Sequence, residues 1–206
     1  TLQINYYWSA NSQSFFLFQK YENTYDQNGN RILLIYYYWN ANSQSFVTSG
    51  KWEYTYDQNG NKTLEITYNW NTDSQSFVTS GKFERAYDEN GKTTLYLSYT
   101  WDIDSQSFVP SYKYENTYDE NGNRTLFMQY TWNNDSQSFV VIDKWQYTYD
   151  ANNLRTNTTV YKWYSILGVY KPSFKTDYST QSETETNLVR AGITYQYDTN
   201  FNTWSE

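Results

Sequence analysis

Carboxylates are the side chains in this sequence with the widest scope for chemistry, because the chain contains neither histidine nor cysteine. Ser-His-Asp and Cys-His catalysis, thiol redox reactions, disulfides and most zinc or copper sites are therefore excluded. The recurring carboxylates are Asp26, Asp57, Asp88, Asp119 and Asp150, with Glu22, Glu53, Glu84 and Glu115. One active site requires one unique arrangement of residues, whereas equal copies indicate a scaffold. We expect no catalytic residues and no enzymatic activity.

The Asp-x-Asn-Gly-Asn segments are the candidates for metal binding. Asp57, Asn59 and Asn61 place three oxygen-bearing side chains close together in the sequence, as calcium loops do. A calcium cage needs about six to eight oxygen ligands and usually a distant bidentate carboxylate. An aspartate at the mouth of a hairpin is also explained by an Asx-type turn, in which the carboxylate accepts hydrogen bonds from backbone amides. We therefore expect no metal site and no cofactor.

Aromatic side chains are the second chemically distinctive group, with 25 Tyr, 11 Phe and 9 Trp. Regularly spaced rings can stack on sugars or contact ammonium groups. The rings that lie among polar neighbours on the opposite face are Tyr7, Tyr36, Tyr38, Tyr96 and Phe127. Of these, Tyr36, Tyr38, Tyr96 and Phe127 are the candidates for carbohydrate binding. Six tryptophans instead share a strand face with Leu and Ile, which favours core packing. We call them the tryptophan ladder: Trp8, Trp39, Trp70, Trp101, Trp132 and Trp163.

The elements that position these side chains are tandem repeats. The tryptophan ladder and the recurring aspartates advance with one common period, as from Trp39 to Trp70 and from Asp57 to Asp88, without an insertion. Such a constant period indicates that each loop has a fixed conformation and that neighbouring repeats stack in register.

Each repeat contains two turn patterns, which implies two strands per repeat. Asn-Gly, as at residues 59–60, favours a type I′ hairpin turn with two residues at positive φ. Asn152-Asn153 replaces it in the fifth repeat. The second pattern is the polar segment after each ladder Trp, such as NTDSQS at residues 71–76. We expect strands from near Lys62 to Trp70 and from Phe77 to Tyr87, with equivalents in the other repeats.

Alternating apolar and polar residues predict that each strand has a buried and an exposed face. The expected buried residues are Leu64, Ile66, Tyr68 and Trp70, and the expected exposed ones are Glu65, Thr67 and Asn69. In the partner strand, we expect Trp52 to share the face of Phe46, and Lys51 and Glu53 to point away from it. Residues 48–50, Thr-Ser-Gly, are typical of a β-bulge or a bend.

These patterns predict an all-β fold, an antiparallel meander of tandem 31-residue two-strand repeats. About 13 or 14 strands are expected. A flat sheet of that width would leave its apolar face in water, so we expect it to curl into a superhelical or barrel-like single sheet. No segment has the apolar period of a helix that could cover this face.

The repeats are expected to change character near the last ladder tryptophan. We interpret residues 1–163 as tandem 31-residue β-hairpin repeats and residues 164–206 as a degenerate C-terminal repeat or cap. The spacing of Ile193, Tyr195, Tyr197 and Trp204 matches that of Ile66, Tyr68, Trp70 and Phe77, which predicts that the strand pattern resumes. A start at Thr1 without methionine is expected of a processed product or of a piece of a longer array.

Net charge and hydropathy limit the kinds of partner that the chain is expected to bind. The formal charge of −7, with the few Lys and Arg scattered, disfavours nucleic acid. No apolar run is long enough for a transmembrane helix, and no secretory signal peptide is visible.

The segment YDENGNRTL at residues 118–126 resembles the YD repeats of RHS-type surface and secreted proteins. It is also similar to Tyr/Asn-rich tandem repeats of secreted Bacteroidetes proteins. The resemblance covers the Asn-Gly hairpins, about half of the chain. It implies an extracellular protein whose hairpins coil into a shell or fibre-like sheet, with adhesion, carbohydrate contact or enclosure as its role. It carries over no catalytic residues.

We therefore expect a non-enzymatic structural or adhesive protein, secreted or on a bacterial cell surface. The strand at residues 1–8 is expected at an open edge, which favours head-to-tail pairing with another copy and growth into a filament. A carbohydrate-binding module with aromatic platforms is one alternative. An outer-membrane β-barrel with its Leu/Ile/Tyr/Trp face toward lipid is a second.

Overall fold

The computed structural model describes the backbone of residues 1–164, 169–182, 189–198 and 203–205, and the side chains of residues 1–162 and 171–177. All elements in this part of the chain are strands, and they form one antiparallel sheet in which the strands follow chain order. The strands are β1 (Leu2–Ser9), β2 (Ser14–Tyr25), β3 (Arg31–Asn40), β4 (Ser45–Tyr56), β5 (Lys62–Asn71), β6 (Ser76–Tyr87), β7 (Thr93–Asp102), β8 (Ser107–Tyr118), β9 (Arg124–Asn133), β10 (Ser138–Tyr149), β11 (Arg155–Tyr164), β12 (Val169–Ser182), β13 (Val189–Asp198) and β14 (Thr203–Ser205). The predicted all-β antiparallel meander is confirmed.

Contacts within the chain define two compact units. The first comprises residues 1–87 and 97–111, and the second residues 88–96 and 112–206. The same hairpin occurs in each unit: β5 has 10 residues and β6 has 12 in the first, and β9 and β10 repeat these lengths in the second. The predicted division at residue 163 stays a prediction. The described chain has no helix with the length and apolarity needed to cross a lipid bilayer.

The strand pattern resumes at the C-terminal end as the sequence predicts. Lys175 pairs with Tyr195, as Lys51 pairs with Tyr68. Tyr197 pairs with Trp204 in the same antiparallel arrangement. Residues 183–188, between β12 and β13, lie outside the described chain.

The Asn-Gly loops differ from the predicted type I′ turn. The Gly60 amide donates to the Asp57 carbonyl at 3.1 Å, and within this loop only Gly60, at φ 80°, has a positive φ. The Asp57 carboxylate accepts hydrogen bonds from the amides of Asn59 and Asn61, both at 2.9 Å. These bonds stabilise a longer loop that needs one left-handed residue instead of two. In the fifth repeat Asn153 takes the glycine position at φ 61°.

The polar loops after the ladder tryptophans have a fixed conformation of their own. Trp70 and Phe77 close one such loop by an edge-to-face contact at 5.0 Å between ring centres. Inside it, the side-chain oxygen of Asn71 accepts the Ser74 amide at 2.9 Å. Gln75 lies at φ 49°. The sequence pattern identified this loop as a turn but did not predict a left-handed glutamine, since the residue rarely adopts that conformation.

A β-bulge interrupts the alternation in the long strands. In β4, Gly50 pairs with Tyr36 and Thr48 pairs with Tyr37, so Ser49 is an extra residue. This confirms the bulge predicted at residues 48–50. The extra residues at equivalent positions are Phe18, Ser80, Ile142 and Ser173. Because side chains alternate with a period of two, one extra residue moves the following side chains to the other face.

Because of the bulge, side chains in the second half of β4 lie on the faces opposite to those predicted. Lys51 pairs with Tyr68, and its Nζ atom lies 3.8 Å from the centre of the Tyr68 ring. Lys51 and Glu53 therefore lie on the face of the tryptophan ladder, and Trp52 lies on the opposite face. The prediction that Trp52 shares the face of Phe46 is wrong, because it extended the alternation across an inserted residue.

Neither face forms an apolar core in the described chain. Its only buried hydrophobic side chains are Tyr130 and Tyr147. The apolar residues of β5 that were expected to be buried are only half-buried. Asn69 is exposed as predicted, but the Glu65 side chain, expected to be exposed, is only 17% exposed. The predicted contrast between the two faces is wrong because the bulge mixes rings and charged groups on both.

Deleting Ser49 tests the role of the bulge. Without this residue, Lys51 and Glu53 would lose their position beside Tyr68. We expect the free energy of unfolding, measured by chemical denaturation, to fall by about 2 kcal/mol, because a cation–π contact and a hydrogen bond to Tyr68 are lost together. Ser49→Ala keeps the chain length and should cost less than about 0.5 kcal/mol. Equal losses in both variants would contradict the proposed role of the insertion.

Candidate functional site

Four side chains from two consecutive repeats come together on the ladder face. Lys51 and Glu53 belong to β4, Tyr68 to β5 and Phe77 to β6. We call this group a Lys-Glu-Tyr cluster. The four described copies are Lys20/Glu22/Tyr37/Phe46, Lys51/Glu53/Tyr68/Phe77, Lys82/Glu84/Tyr99/Phe108 and Lys113/Glu115/Tyr130/Phe139.

The geometry of the cluster satisfies both charges. Lys51 Nζ lies 2.8 Å from Glu53 Oε1, above the Tyr68 ring, and 5.4 Å from the centre of the Phe77 ring. The Tyr68 hydroxyl donates to Glu53 Oε2 at 2.6 Å. Each carboxylate oxygen thus has its own donor, while the ammonium group lies against aromatic rings.

The other copies have nearly the same dimensions. The Lys Nζ to Glu Oε1 distance is 2.8 Å at Lys20 and Lys82 and 2.9 Å at Lys113. The corresponding distances from Nζ to the tyrosine ring centres are 3.7, 3.9 and 3.8 Å. The arrangement is therefore a property of the repeat.

The electrostatics of the cluster hold its groups in fixed protonation states. Burial, followed by the hydrogen bond to Glu53, raises the pKa of Tyr68 to about 12. Burial also raises the pKa of Glu53, but the hydrogen bonds from Lys51 and Tyr68 outweigh this and hold it below its ordinary value. At neutral pH the glutamate is charged and the tyrosine neutral. Neither group has the pKa near 7 that suits an acid-base catalyst.

The cluster has a direction along the chain. One repeat supplies the Lys-x-Glu segment, which we call the donor side, and the next supplies the tyrosine and phenylalanine, which we call the acceptor side. Further along, Lys144 lies 4.8 Å from the centre of the Tyr161 ring. Lys175 pairs with Asp177 at 2.8 Å, as a lysine and a carboxylate at the same spacing do in the four copies. Each contact between repeats is therefore heterologous, joining two different surfaces.

The acceptor side of the first repeat is exposed. Tyr6 and Phe15 stand one repeat before Tyr37 and Phe46, yet 56% of Tyr6 and 69% of Phe15 is accessible to solvent. The tryptophan ladder is also more exposed in the first repeat, where Trp8 is 54% exposed. Its members at half-buried positions are Trp39, Trp70, Trp101 and Trp132. The side chain of Trp163 lies outside the described residues.

The Tyr-Asp pair at the Asn-Gly loop of residues 56–61 also has a structural role. Asp57 Oδ2 accepts a hydrogen bond from Asn61 Nδ2 at 3.0 Å, so both carboxylate oxygens bond within their own loop. The side-chain hydrogen bond from Asn61 helps hold the pKa of Asp57 below its ordinary value. The preceding Tyr56 donates to the Arg31 carbonyl of the adjacent hairpin at 2.8 Å. Among the described side chains, no three potential acidic ligands are grouped as a metal ion requires.

Two of the predicted carbohydrate-binding rings belong to one stack. The Tyr96 ring centre lies 5.5 Å from Tyr114. The Tyr114 ring lies 5.7 Å from Phe127, which lies 5.0 Å from Trp145. Tyr96 and Phe127 therefore already pack against protein rings.

The other two predicted rings differ from each other. Tyr36 packs on Tyr21, with 5.3 Å between ring centres, whereas Tyr38 is 42% exposed. Phe16 is a further exposed ring that the sequence pattern did not predict, and it stacks with exposed Tyr7 at 5.4 Å. Tyr7 occupies the position equivalent to Tyr38 in the preceding repeat. This offset of one full repeat could have pointed to the rings near Tyr7 as further candidates.

Comparisons with known proteins establish a shared fold. No protein-family model and no curated protein matches the chain. A solved structure of a protein of unknown function from Bacteroides fragilis is similar over 61% of this chain and 89% of that chain, with a TM-score of 0.52 and 22% sequence identity. A DUF3836 family protein from Bacteroides vulgatus matches over 44% of this chain and 87% of its own, with 21% identity and a TM-score of 0.36.

Replacing Tyr68 by Phe tests the cluster at neutral pH. The change removes one hydroxyl donor from a partly exposed carboxylate, so we expect the free energy of unfolding to fall by about 1 kcal/mol. Tyr7→Phe makes the same chemical change on the opposite face and should have an effect close to zero. Chemical denaturation at pH 7 measures both. A loss in Tyr7→Phe equal to that in Tyr68→Phe would contradict a specific role for the cluster.

The same cluster predicts how stability depends on pH. Because the fold raises the pKa of Tyr37, Tyr68 and Tyr99 to about 12, their contribution is present below the ordinary pKa of about 10 and is lost as pH rises through 12. The lowered pKa of Glu53 acts at the other end, where stability is lost as pH falls below its ordinary value. Tyr68→Phe should weaken the alkaline dependence of the melting temperature, and Tyr7→Phe should leave it unchanged.

Proposed function

We propose that the chain is a non-enzymatic structural element of a secreted or cell-surface bacterial protein, in which tandem repeats form an adhesive β-scaffold. The observation that carries this proposal is the Lys-Glu-Tyr cluster, whose lysine and glutamate bond to the next repeat. The charged and hydroxyl groups that could take part in chemistry are thus used to join repeats. Four equal copies give no single place where one substrate would be preferred.

The extracellular location and the adhesive role draw their support from the sequence. The YD-type segments resemble repeats of surface and secreted proteins, and a scaffold that displays many rings and hydroxyls suits contact with other surfaces. Labelling of intact source cells with an antibody against the chain tests the location. Labelling only after cell lysis would contradict it.

Deleting one whole repeat tests the scaffold function. Removal of residues 32–62 takes out one full period and would bring Lys20 and Glu22 to Tyr68 and Phe77. In a scaffold of equal repeats, each repeat stabilises mainly its neighbours, so this variant should fold with a modest loss of stability. Removal of residues 32–61 shifts the register by one and should prevent folding. Circular dichroism and thermal unfolding measure both. Failure of the first deletion to fold would contradict the proposal.

Head-to-tail assembly into a filament would extend this function. The heterologous contact between repeats supports it, because the same contact made between copies does not close and adds further copies. Sedimentation velocity should then show a mass that grows with protein concentration, and Tyr6→Ala should reduce the growth. A constant monomer mass at all concentrations would exclude the filament while leaving a single-chain scaffold.

Carbohydrate binding is the second candidate, favoured by the exposed rings of Tyr38, Tyr7 and Phe16. Rings of this kind stack on sugar faces. Binding to a glycan array that Tyr38→Ala leaves unchanged would argue against this site.

A further inference from the structure

Each Asn-Gly loop contains two groups that can react with each other. We number these loops in chain order, as residues 26–30, 57–61, 88–92 and 119–123. In the second loop, the Gly60 nitrogen can attack Cγ of the Asn59 side chain, because the new bond closes an unstrained succinimide ring within one chain. Glycine favours the attack because it has no Cβ to hinder it.

The reaction replaces a side-chain amide by a carboxylate. The Gly60 nitrogen gives up its proton and bonds to Cγ of Asn59, the bond from Cγ to the side-chain nitrogen breaks, and that nitrogen leaves with the proton as ammonia. Water then opens the ring to aspartate or isoaspartate. In isoaspartate the main chain runs through the former side chain and is longer by one carbon, so the loop loses its shape.

The folded loop occupies the attacking nitrogen. The Gly60 amide donates to the Asp57 carbonyl at 3.1 Å, and in the other three loops the equivalent distance lies between 2.9 and 3.2 Å. This hydrogen bond must break before the nitrogen can lose its proton and turn toward the side chain. The Asp57 carboxylate adds a second restraint, because the Asn59 and Asn61 amides, on both sides of the reacting nitrogen, bond to its Oδ1 atom.

The reacting asparagines themselves are open to water. Asn28, Asn59, Asn90 and Asn121 all lie at exposed positions. We propose that the Asn-Gly loops are sites of spontaneous deamidation, and that the aspartate at the start of each loop holds the site unreactive in the folded chain. The scaffold role of the repeats does not depend on this reactivity.

The third loop has fewer restraints than the others. In the other three loops, the last asparagine donates from Nδ2 to the aspartate of its own loop at 3.0 to 3.1 Å. In the third loop Lys92 takes this position, and its Nζ atom donates to the Gly122 carbonyl of the next loop instead. Asn90 should therefore react fastest of the four.

The fourth loop has additional restraints. Its Gly122 carbonyl accepts the hydrogen bond from Lys92, and Asn123 Nδ2 donates to Asn153 Oδ1 of the following loop at 2.9 Å. These contacts hold the loop against both of its neighbours, so Asn121 should react slowest.

Peptide mapping by mass spectrometry, after incubation of the 206-residue chain at mildly alkaline pH, measures the four rates in one sample. A sample unfolded in denaturant gives the rates without the loop. We expect each site to react at least about tenfold more slowly in the folded chain, because breaking the loop hydrogen bonds adds to the activation free energy. Equal rates in the folded and unfolded chains would overturn the proposal.

Variants of the second loop test the aspartate. Asp57→Ala removes the acceptor of two amides and should raise the rate at Asn59 about tenfold, while the other three sites in the same molecule stay unchanged. Asp57→Asn keeps a side-chain acceptor and should raise the rate less. Tyr56→Phe is the matched control, because it removes a hydrogen bond from the adjoining residue and leaves the Asp57 acceptors in place. An equal rise in Tyr56→Phe and Asp57→Ala would indicate general loosening of the hairpin and overturn the role of the aspartate.

Lys92→Asn tests the ranking of the loops in both directions. The change gives the third loop the side-chain donor of the other loops and removes the bond to Gly122. We expect the rate at Asn90 to fall and the rate at Asn121 to rise, each about threefold. An unchanged rate at Asn90, or a native chain in which Asn90 is not the fastest site, would overturn the ranking.

Discussion

One inserted residue in the long strands decides which side chains meet in this protein. Alternation without it would place the rings of each long strand on the ladder face and the charged groups on the other, giving a strongly amphipathic sheet. Such a sheet requires a second layer to cover its apolar face. The bulge reverses the second half of the strand and brings Lys51 and Glu53 beside the rings of the next repeat. Both faces then carry rings and charges, and a single sheet no longer has one face that water must avoid.

This arrangement changes what holds the strands together. The described chain has no side chain that is fully buried, so stability comes from many half-exposed contacts added to the backbone ladder. An exposed ion pair alone contributes little because water screens it and fixing two long side chains costs entropy. In the cluster, the tyrosine hydroxyl and the ring surface hold the lysine and the glutamate in the same geometry as the ion pair does. Several contacts therefore offset the entropy that is lost when these two side chains are fixed. Rigid tyrosines are suited to this task because they have few rotatable bonds.

The sequence predicts the strands and turns well because each depends on nearby residues. The regular spacing of Trp and Asp, the Asn-Gly loops and the alternation near Leu64 are all short-range patterns. The predicted faces failed because a bulge at Ser49 is easily recognised as an irregularity while its effect on the next residues depends on pairing with β3. The partners of Tyr68 and Tyr56 were missed for the same reason, since each bonds to an atom on a neighbouring strand. Burial failed because it was inferred from polarity alone, and a lysine lying on a ring covers surface as effectively as an aliphatic side chain.

The short sequence distance of the hydrogen bonds between repeats has a consequence for folding speed. The bond from Tyr68 to Glu53 spans 15 residues, and that from Tyr56 to the Arg31 carbonyl spans 25. Adding repeats therefore lengthens the chain without lengthening the loops that must close, and loop closure is what slows most β-proteins. Folding can begin at any hairpin and spread to its neighbours, so a longer array gains starting points in proportion to its length.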